Sequence, residues 1–173
     1  MKKTLLFAPL LVFLLLIGCK KVDQILTFNV DVSQSTTIPF ILSGTGPISP
    51  VPVTTNSADS FRNNKTTKDK VKDVYLNKMM LTVTAPSGTT FDFLDKVQIF
   101  ISTGTNNKIL LAQLDNVPRG VTTITLVPTT SRLDEYLKAD TYTLDAIYTS
   151  NKFVSAPFTV RSDASFKVTA NPL

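Results

Sequence analysis

The chain has 173 residues, a net charge of +5 at neutral pH, one cysteine, no histidine and no tryptophan. Without histidine it cannot build Ser-His-Asp or Cys-His catalytic arrangements, and one cysteine can form neither an internal disulfide nor a Cys/His metal site. We therefore expect a non-enzymatic protein with no catalytic residues, no metal and no cofactor. The small, dispersed positive charge does not predict nucleic-acid binding.

The first 18 residues predict a secretory signal peptide. Lys2 and Lys3 precede an uncharged apolar run from Thr4 to Ile17, and small residues follow this run. The run contains Pro9 and is shorter than the roughly 20 apolar residues that a membrane-spanning helix needs. Cleavage after this segment would remove both lysines and lower the net charge from +5 to +3.

The segment Leu16-Ile17-Gly18-Cys19 resembles the lipobox of bacterial lipoproteins. In that family the chain is cut before the cysteine, so the resemblance implies a diacylglycerol on Cys19 and an anchor in a membrane. The alternative is an ordinary signal peptide, which usually has Ala-x-Ala-like residues at the cut. In enterobacterial lipoproteins an aspartate directly after the cysteine tends to retain the protein in the inner membrane, whereas here Lys20 follows the cysteine. We therefore expect a cell-envelope protein at the outer membrane, on its periplasmic face, with exposure at the cell surface left open.

Residues 19–24 are interpreted as a tether, and one domain is expected over residues 25–173. The first strand is predicted at Ile25 to Val32, because Phe28, Val30 and Val32 alternate with polar residues. A second, weaker strand is predicted from Thr36 to Leu42, with Pro39 marking an edge or a bend.

Residues 43–70 show no periodicity and are predicted to form a long loop. Prolines and glycines interrupt the first half, and at most a short extended piece is expected at Val51 to Thr54. Binding residues often lie on loops, so this loop is the predicted contact region, and its removal is expected to leave the domain folded. The predicted contact residues are Arg62, Lys65, Lys68 and Lys70.

Seven further strands are predicted by alternation. They are Val71 to Ala85, Phe91 to Ser102, Ile109 to Leu114, Val121 to Val127, Thr141 to Thr149, Phe153 to Val160 and Ser165 to Ala170. Ala85-Pro86-Ser87-Gly88 predicts a β-turn. The strands on either side of Thr103 to Lys108 are expected to form a hairpin.

One short helix is predicted from Ser131 to Lys138. Ser131 is the expected N-cap, with Asp134 as its partner in a capping box. Leu133 and Leu137 are four residues apart and are expected to lie on one buried face.

Many short strands and one helix predict an all-β fold. We expect an antiparallel two-sheet sandwich of the immunoglobulin or fibronectin kind, with the short helix near 131–138 and a barrel as the alternative.

From about Phe61 onward the chain resembles uncharacterised lipoproteins of the Bacteroidetes. The resemblance rests on Phe91-Asp92-Phe93-Leu94, the strand from Val97 to Ser102, Leu137-Lys138, and Phe166 to Ala170. That group has no assigned activity, so the resemblance implies an anchored β-domain and supplies no functional residues.

Three other patterns have ordinary explanations. Asp92 and Asp95 are interpreted as solvated acids, because calcium needs six to eight oxygen ligands. Asp134 and Glu135 are adjacent on a predicted helix, so they cannot face each other across a sugar as glycosidase acids do. The tyrosines could stack on glycans, but Tyr142 and Tyr148 are predicted to point inward.

The sequence thus predicts a non-enzymatic binding or structural module of the cell envelope. Its expected partners are a membrane, through the lipid on Cys19, and a protein or another envelope component. The alternatives are a glycan- or lipid-binding module for nutrient uptake and a fimbrial or assembly subunit joined by strand addition.

Overall fold

The structure is a computed structural model that describes residues 25–173. Its strands are β1 (Leu26–Ile38), β2 (Gly44–Thr54), β3 (Val71–Ala85), β4 (Leu94–Ser102), β5 (Ile109–Asp115), β6 (Thr123–Pro128), β7 (Thr141–Ser150) and β8 (Phe158–Ala170). Two short helices are α1 (Ser57–Asn63) and α2 (Asp134–Lys138), and residues Lys68–Lys70 form a 3-10 turn.

The eight strands form one antiparallel sheet in the order β1-β8-β3-β6-β5-β4-β7-β2. The sheet curls into a half-barrel whose two end strands, β1 and β2, are not paired with each other. The prediction of an antiparallel all-β fold is confirmed. The immunoglobulin-like sandwich of two separate sheets is not confirmed, because the strands are continuous through one curled sheet.

The curl has two visible causes. Register shifts interrupt β3 at Val71/Asp73, Leu76/Lys78 and Val83/Ala85, and such bulges bend a strand and increase its twist. The β5–β6 junction is also short, with only Ala112↔Pro128 and Gln113↔Val127 in register. A sheet held by two residue pairs at its middle can turn sharply there, so its apolar face folds onto itself.

The concave face of the half-barrel forms the core. Val30, Val74, Met79, Ile101 and Phe166 are each at most 1% exposed. Alternation in the sequence placed these side chains on one face of each strand, and the curl brings those faces together. The predicted inward positions Ile124 and Leu126 of β6 are buried, as are Tyr142 and Tyr148 of β7.

Two pairs of predicted strands are continuous in the structure. β1 runs to Ile38 in unbroken register with β8, so the separate strand predicted at Thr36 to Leu42 is wrong. Beyond Ile38, Ile41 makes a single bridge to Val154. The break predicted inside the C-terminal region is also wrong, because β8 is one strand whose polar stretch pairs with β1 on one side and β3 on the other.

The long loop predicted at residues 43–70 is wrong. Its first half is β2, which pairs with β7 from Gly44↔Ser150 to Thr54↔Thr141. β2 tolerates Pro47, Pro50 and Pro52 because it is an end strand, and the register shift between Ile48 and Val51 absorbs Pro50.

The second half of this segment contains α1, which the sequence pattern did not predict. Phe61 is 1% exposed, and its ring meets that of Phe28 edge-on at 6.2 Å. The Thr55 hydroxyl donates to the carbonyl oxygen of Ala139 at 2.8 Å and joins the start of this segment to the end of α2. A helix this short is held by such tertiary contacts rather than by its own propensity.

The second helix is shorter than predicted and lacks the predicted cap. α2 begins at Asp134, its N-cap is Leu133, and no side chain caps it. The Asp134 carboxylate instead accepts the backbone N–H of Val74 at 2.6 Å. Leu133 and Leu137 are buried as predicted.

The predicted strand from Val71 to Ala85 and the β4–β5 hairpin are confirmed. The turn after β3 lies one residue later than predicted, since the N–H of Thr89 donates to the carbonyl oxygen of Pro86 at 3.2 Å. Within residues 25–173, no helix combines the length and apolar character needed to cross a membrane.

Candidate functional site

An apolar cleft opens between β1 and β2, where the half-barrel fails to close. Its volume is about 110 Å³. One wall carries Ile38 of β1, and the other carries Ile48 and Val51 of β2. A sheet that closed fully would fill this space with paired backbone, so the cleft is a direct result of the unpaired end strands.

Three phenylalanine rings line the floor of the cleft. The ring centroids of Phe91 and Phe93 are 6.2 Å apart, and those of Phe93 and Phe158 are 5.1 Å apart. All three side chains are buried. Aromatic rings held in tilted contact make a rigid apolar floor.

A network of hydrogen bonds fixes the segment that carries these rings. The Asp92 carboxylate accepts the backbone N–H of Gly120 at 2.5 Å, and the Asp95 carboxylate accepts from Asn151 at 2.8 Å and from Arg119 at 2.5 Å. Phe93 lies between these two aspartates in sequence. The network therefore ties the floor of the cleft to the loops before β6 and after β7.

The same contacts account for the electrostatics of the two aspartates. The N–H of Gly120, followed by the Thr90 hydroxyl, holds the pKa of the Asp92 carboxyl below its ordinary value. The Asn151 amide, followed by Arg119, lowers the pKa of Asp95 in the same way. Both carboxylates are engaged by protein donors, and residues 25–173 contain no group of three or more Asp, Glu, His or Cys side chains placed to hold a metal ion.

Polar groups occur at the cleft margin and carry little charge. Gln34, Ser49 and Ser162 contribute to the lining. The carboxylate of Asp145 also belongs to the lining, and its oxygen is paired with the Lys108 ammonium at 3.3 Å. An ion already paired at the rim does not favour a charged ligand, so the lining suits an uncharged apolar group.

Tyr148 closes the cleft toward the start of β2. Its hydroxyl accepts the backbone N–H of Leu42 at 3.2 Å, and its ring lies against Gly46. The ring thus joins the cleft wall to the segment between β1 and β2.

Three large apolar side chains are exposed beyond this point. Phe40, Leu42 and Phe153 are 52%, 55% and 58% exposed, and they flank the Ile41–Val154 bridge. We call these three residues the exposed tip. It lies past the C-terminal end of β1, which is about 40 Å from the N-terminal end of that 13-residue strand.

The residues predicted as contacts do not line the cleft. Arg62 pairs with Asp59, and Lys68 pairs with Asp140 at 2.6 Å. Lys65 and Lys70 are exposed near the N-terminal end of β3. Cys19, the predicted lipidation site, lies outside the described residues.

The tyrosines do not form an exposed stacking platform. Tyr136, Tyr142 and Tyr148 are buried, whereas Tyr75 is exposed. The Tyr136 hydroxyl donates to the carbonyl oxygen of Asn107 at 2.5 Å, and burial, chiefly, raises the pKa of Tyr136 to about 12.

Sequence patterns alone did not reveal the cleft. Its lining residues come from strands far apart in the chain, such as Ile38 of β1, Ile48 of β2 and Phe158 of β8. Each of these residues looks like an ordinary core position in its own strand. The alternation was a usable signal for the faces but contained no signal for the missing closure.

Comparisons with known proteins identify no relative. No protein-family model matches the chain, and no curated protein matches it. Among solved structures, a chain from Desmodium yellow mottle tymovirus is 8% identical, over 86% of this chain and 90% of that chain, with a TM-score of 0.28. A chain from Turnip yellow mosaic virus is 13% identical, over 84% and 83%, with a TM-score of 0.31.

A third solved structure, that of FLHE, is 8% identical, over 84% of this chain and 97% of that chain, with a TM-score of 0.31. Similarities of this size carry no conclusion about the class or function of the chain.

Proposed function

We propose that this protein is a lipoprotein of the cell envelope, anchored to the outer membrane through Cys19, that acts as a non-enzymatic binding module. The lipobox-like segment supports the anchor, and the periplasmic face remains the proposed side. The binding site is the cleft between β1 and β2, and of the segment 43–70 only Ile48, Ser49 and Val51 of β2 line it.

The proposed ligand is the end of an aliphatic chain, such as that of a fatty acid or lipid. The observation that carries this proposal is the apolar lining, in which Ile38, Ile48, Val51 and the phenylalanine floor surround the space. The volume of about 110 Å³ approaches that of a buried cavity of ~150 Å³ known to hold benzene. Because the cleft is open along the seam, the rest of a longer chain can extend outward.

Binding is tested with cis-parinaric acid, whose polyene emission rises in an apolar site. Ala146 lines the cleft on β7, and its neighbour Ile147 is exposed on the other face of the same strand. Ala146→Leu fills the cleft and is expected to abolish the emission increase, whereas Ile147→Leu, the matched control, is expected to leave it unchanged. Absence of an emission increase with the unsubstituted protein contradicts the ligand proposal.

The anchor is tested separately. Cells fed labelled palmitate are expected to label the wild-type protein and to leave Cys19→Ala unlabelled. A wild-type protein that carries no label contradicts the proposed attachment.

Assembly by strand addition is the second candidate function, and one observation favours it. β1 pairs with β8 without a register shift, and its 13 residues include neither proline nor lysine, so its other edge lacks the usual devices against strand pairing. Gln34→Pro and Ser35→Pro remove adjacent backbone N–H groups, only one of which faces the open edge. If the protein forms polymers by this edge, the variant that loses the outward-facing N–H is expected to form none. Size-exclusion chromatography with light scattering measures the polymers.

A further inference from the structure

The position of the N-terminal end of β1 identifies the end of the half-barrel nearest to Cys19. Leu26 is in register with Ala170 of β8, and Ala170 is in register with Val71 of β3. Neighbouring strands are about 4.8 Å apart, so Val71 lies about 10 Å from Leu26. We call the region around Leu26, Ala170 and Val71 the anchor end, because the chain toward Cys19 leaves the described structure there.

Several lysines collect at the anchor end. Lys70 and Lys72 flank Val71 in sequence, and the Lys138 ammonium donates to the Val71 carbonyl oxygen at 3.1 Å. The chain after Ala170 returns along the segment that carries Lys65, since the N–H of Asn171 donates to the Lys70 carbonyl oxygen at 2.9 Å and that of Leu173 to the Lys65 carbonyl oxygen at 3.0 Å.

The charge at this end is unbalanced. Lys65, Lys70 and Lys72 are exposed, and within residues 25–173 none of them forms an ion pair. Asp69 is the exposed acid beside them, while Asp140 and Asp73 are already paired with Lys68 and Arg132. The sequence adds Lys20, Lys21 and Asp23 between Cys19 and the domain, a further net charge of +1.

We propose that the anchor end docks on the anionic headgroups of the membrane that holds the lipid on Cys19. The inference rests on the proposed function, in that the lipid brings this end to the bilayer. The unpaired lysines are complementary to a phospholipid surface of negative charge, and each contributes about fivefold to binding near such a surface. Docked in this way, β1 stands on the membrane and carries the exposed tip about 40 Å from its base.

The test uses residues 19–173 with Cys19→Ala, so that no lipid contributes to binding. Sedimentation with vesicles at about 0.1 M ionic strength, where the Debye length is about 10 Å, compares phosphatidylglycerol and phosphatidylcholine in equal parts with phosphatidylcholine alone. We expect binding to the anionic vesicles only. The double variant Lys70→Gln/Lys72→Gln is expected to weaken that binding about 25-fold, at fivefold for each charge removed.

The matched control is Lys78→Gln/Lys152→Gln, which removes the same charge from exposed lysines outside the anchor end. We expect it to bind within about twofold of the parent protein. An equal loss in both double variants shows attraction by net charge alone and overturns the proposal. Equal binding to both vesicle types, or binding to neither, also overturns it.

Palmitate labelling of the wild type separates this inference from the proposed function. If Cys19 is not labelled but the unlipidated chain selects anionic vesicles through Lys70 and Lys72, the anchor proposal fails and the docking surface stands. If Cys19 is labelled and the vesicles show no such selection, the anchor stands and the docking surface fails.

Discussion

Tyr148 occupies the space that a side chain on Gly46 would need. The two residues are in register on β7 and β2, and a Cβ atom on Gly46 would stand 2.7 Å from the Tyr148 hydroxyl oxygen. Tyr148 is buried, and its hydroxyl is engaged by the N–H of Leu42, so the ring cannot move aside without losing that contact. The pair fixes the distance between β2 and β7 at one side of the cleft.

We therefore predict that Gly46→Ala destabilises the protein by about 1–3 kcal/mol, as overpacking of a filled site does. Gly104→Ala is the matched control, because a Cβ atom there meets no atom within 4 Å. Its effect on the free energy of unfolding is expected to stay within about 0.5 kcal/mol. Urea unfolding of both variants measures the difference. Equal stability of the two would contradict the prediction, because it would show that the Tyr148 ring can move away from the added Cβ atom at no cost.

Phe61 makes the segment 57–63 part of the core. We predict that Phe61→Ala lowers the free energy of unfolding by about 3–5 kcal/mol, because it removes a fully buried ring and its contact with Phe28. Phe153→Ala, at a ring that is 58% exposed, is expected to change stability by no more than about 0.5 kcal/mol. Thermal unfolding that shifts equally in both variants would contradict the role given to Phe61.

The same contacts reverse an expectation from sequence. Deletion of residues 44–68 removes β2, one of the two partners of β7, as well as Phe61. We predict that this deletion abolishes cooperative unfolding rather than leaving the domain intact. Circular dichroism during heating measures the loss, and a sharp transition in the deleted protein would contradict the prediction.

Asp134 holds α2 against β3 through the Val74 N–H, and Arg132 pairs with its other carboxylate oxygen at 2.6 Å. We predict that Asp134→Ala costs about 1–3 kcal/mol, because it leaves a backbone N–H without its acceptor. Ser131→Ala is the control, since Ser131 does not cap the helix. If chemical denaturation shows a larger loss of stability for Ser131→Ala than for Asp134→Ala, the result would contradict this prediction and support the capping box.

Asp92 and Asp95 predict a defined response to acid. The pKa of each carboxyl is below its ordinary value of 3.8 in the folded protein. The folded state therefore binds these protons less readily than the unfolded state, so the aspartates stabilise the fold above that value. This stabilisation is lost as the pH falls below 3.8 and through the lowered pKa values of the folded state.

We predict that Asp95→Asn flattens the fall of the melting temperature between about pH 5 and pH 2. Asp31→Asn, at an exposed residue of β1, is the control and is expected to keep the wild-type slope. Differential scanning calorimetry across this pH range measures both slopes, and an unchanged slope in Asp95→Asn would contradict the stabilising role of that carboxylate.

Local sequence patterns were sufficient for the faces of many strands. Leu81 and Val83 of β3, and Tyr142 and Tyr148 of β7, are buried where alternation placed them. The spacing of Leu133 and Leu137 likewise identified the buried face of α2. These features depend on a residue's neighbours within a few positions, because a strand or helix repeats its orientation over that distance.

The candidate site could not be predicted from local sequence patterns. β2 is a strand because β7 offers it an edge, and its prolines are harmless only at the end of the sheet. Phe61 is a core residue because Phe28, which is distant in sequence, packs against it. Neither contact can be inferred from residue propensities or from the positions of glycine and proline in the sequence.

Composition and alternation were enough to predict an all-β chain and the inward faces of most strands, and to exclude Ser-His-Asp and Cys-His arrangements. They did not predict that the strands share one curled sheet, that β1 and β2 stay apart, or that an apolar cleft lies between them. Alternation is set by the local geometry of the backbone, whereas closure depends on hydrogen bonds and bulges between strands far apart in the chain.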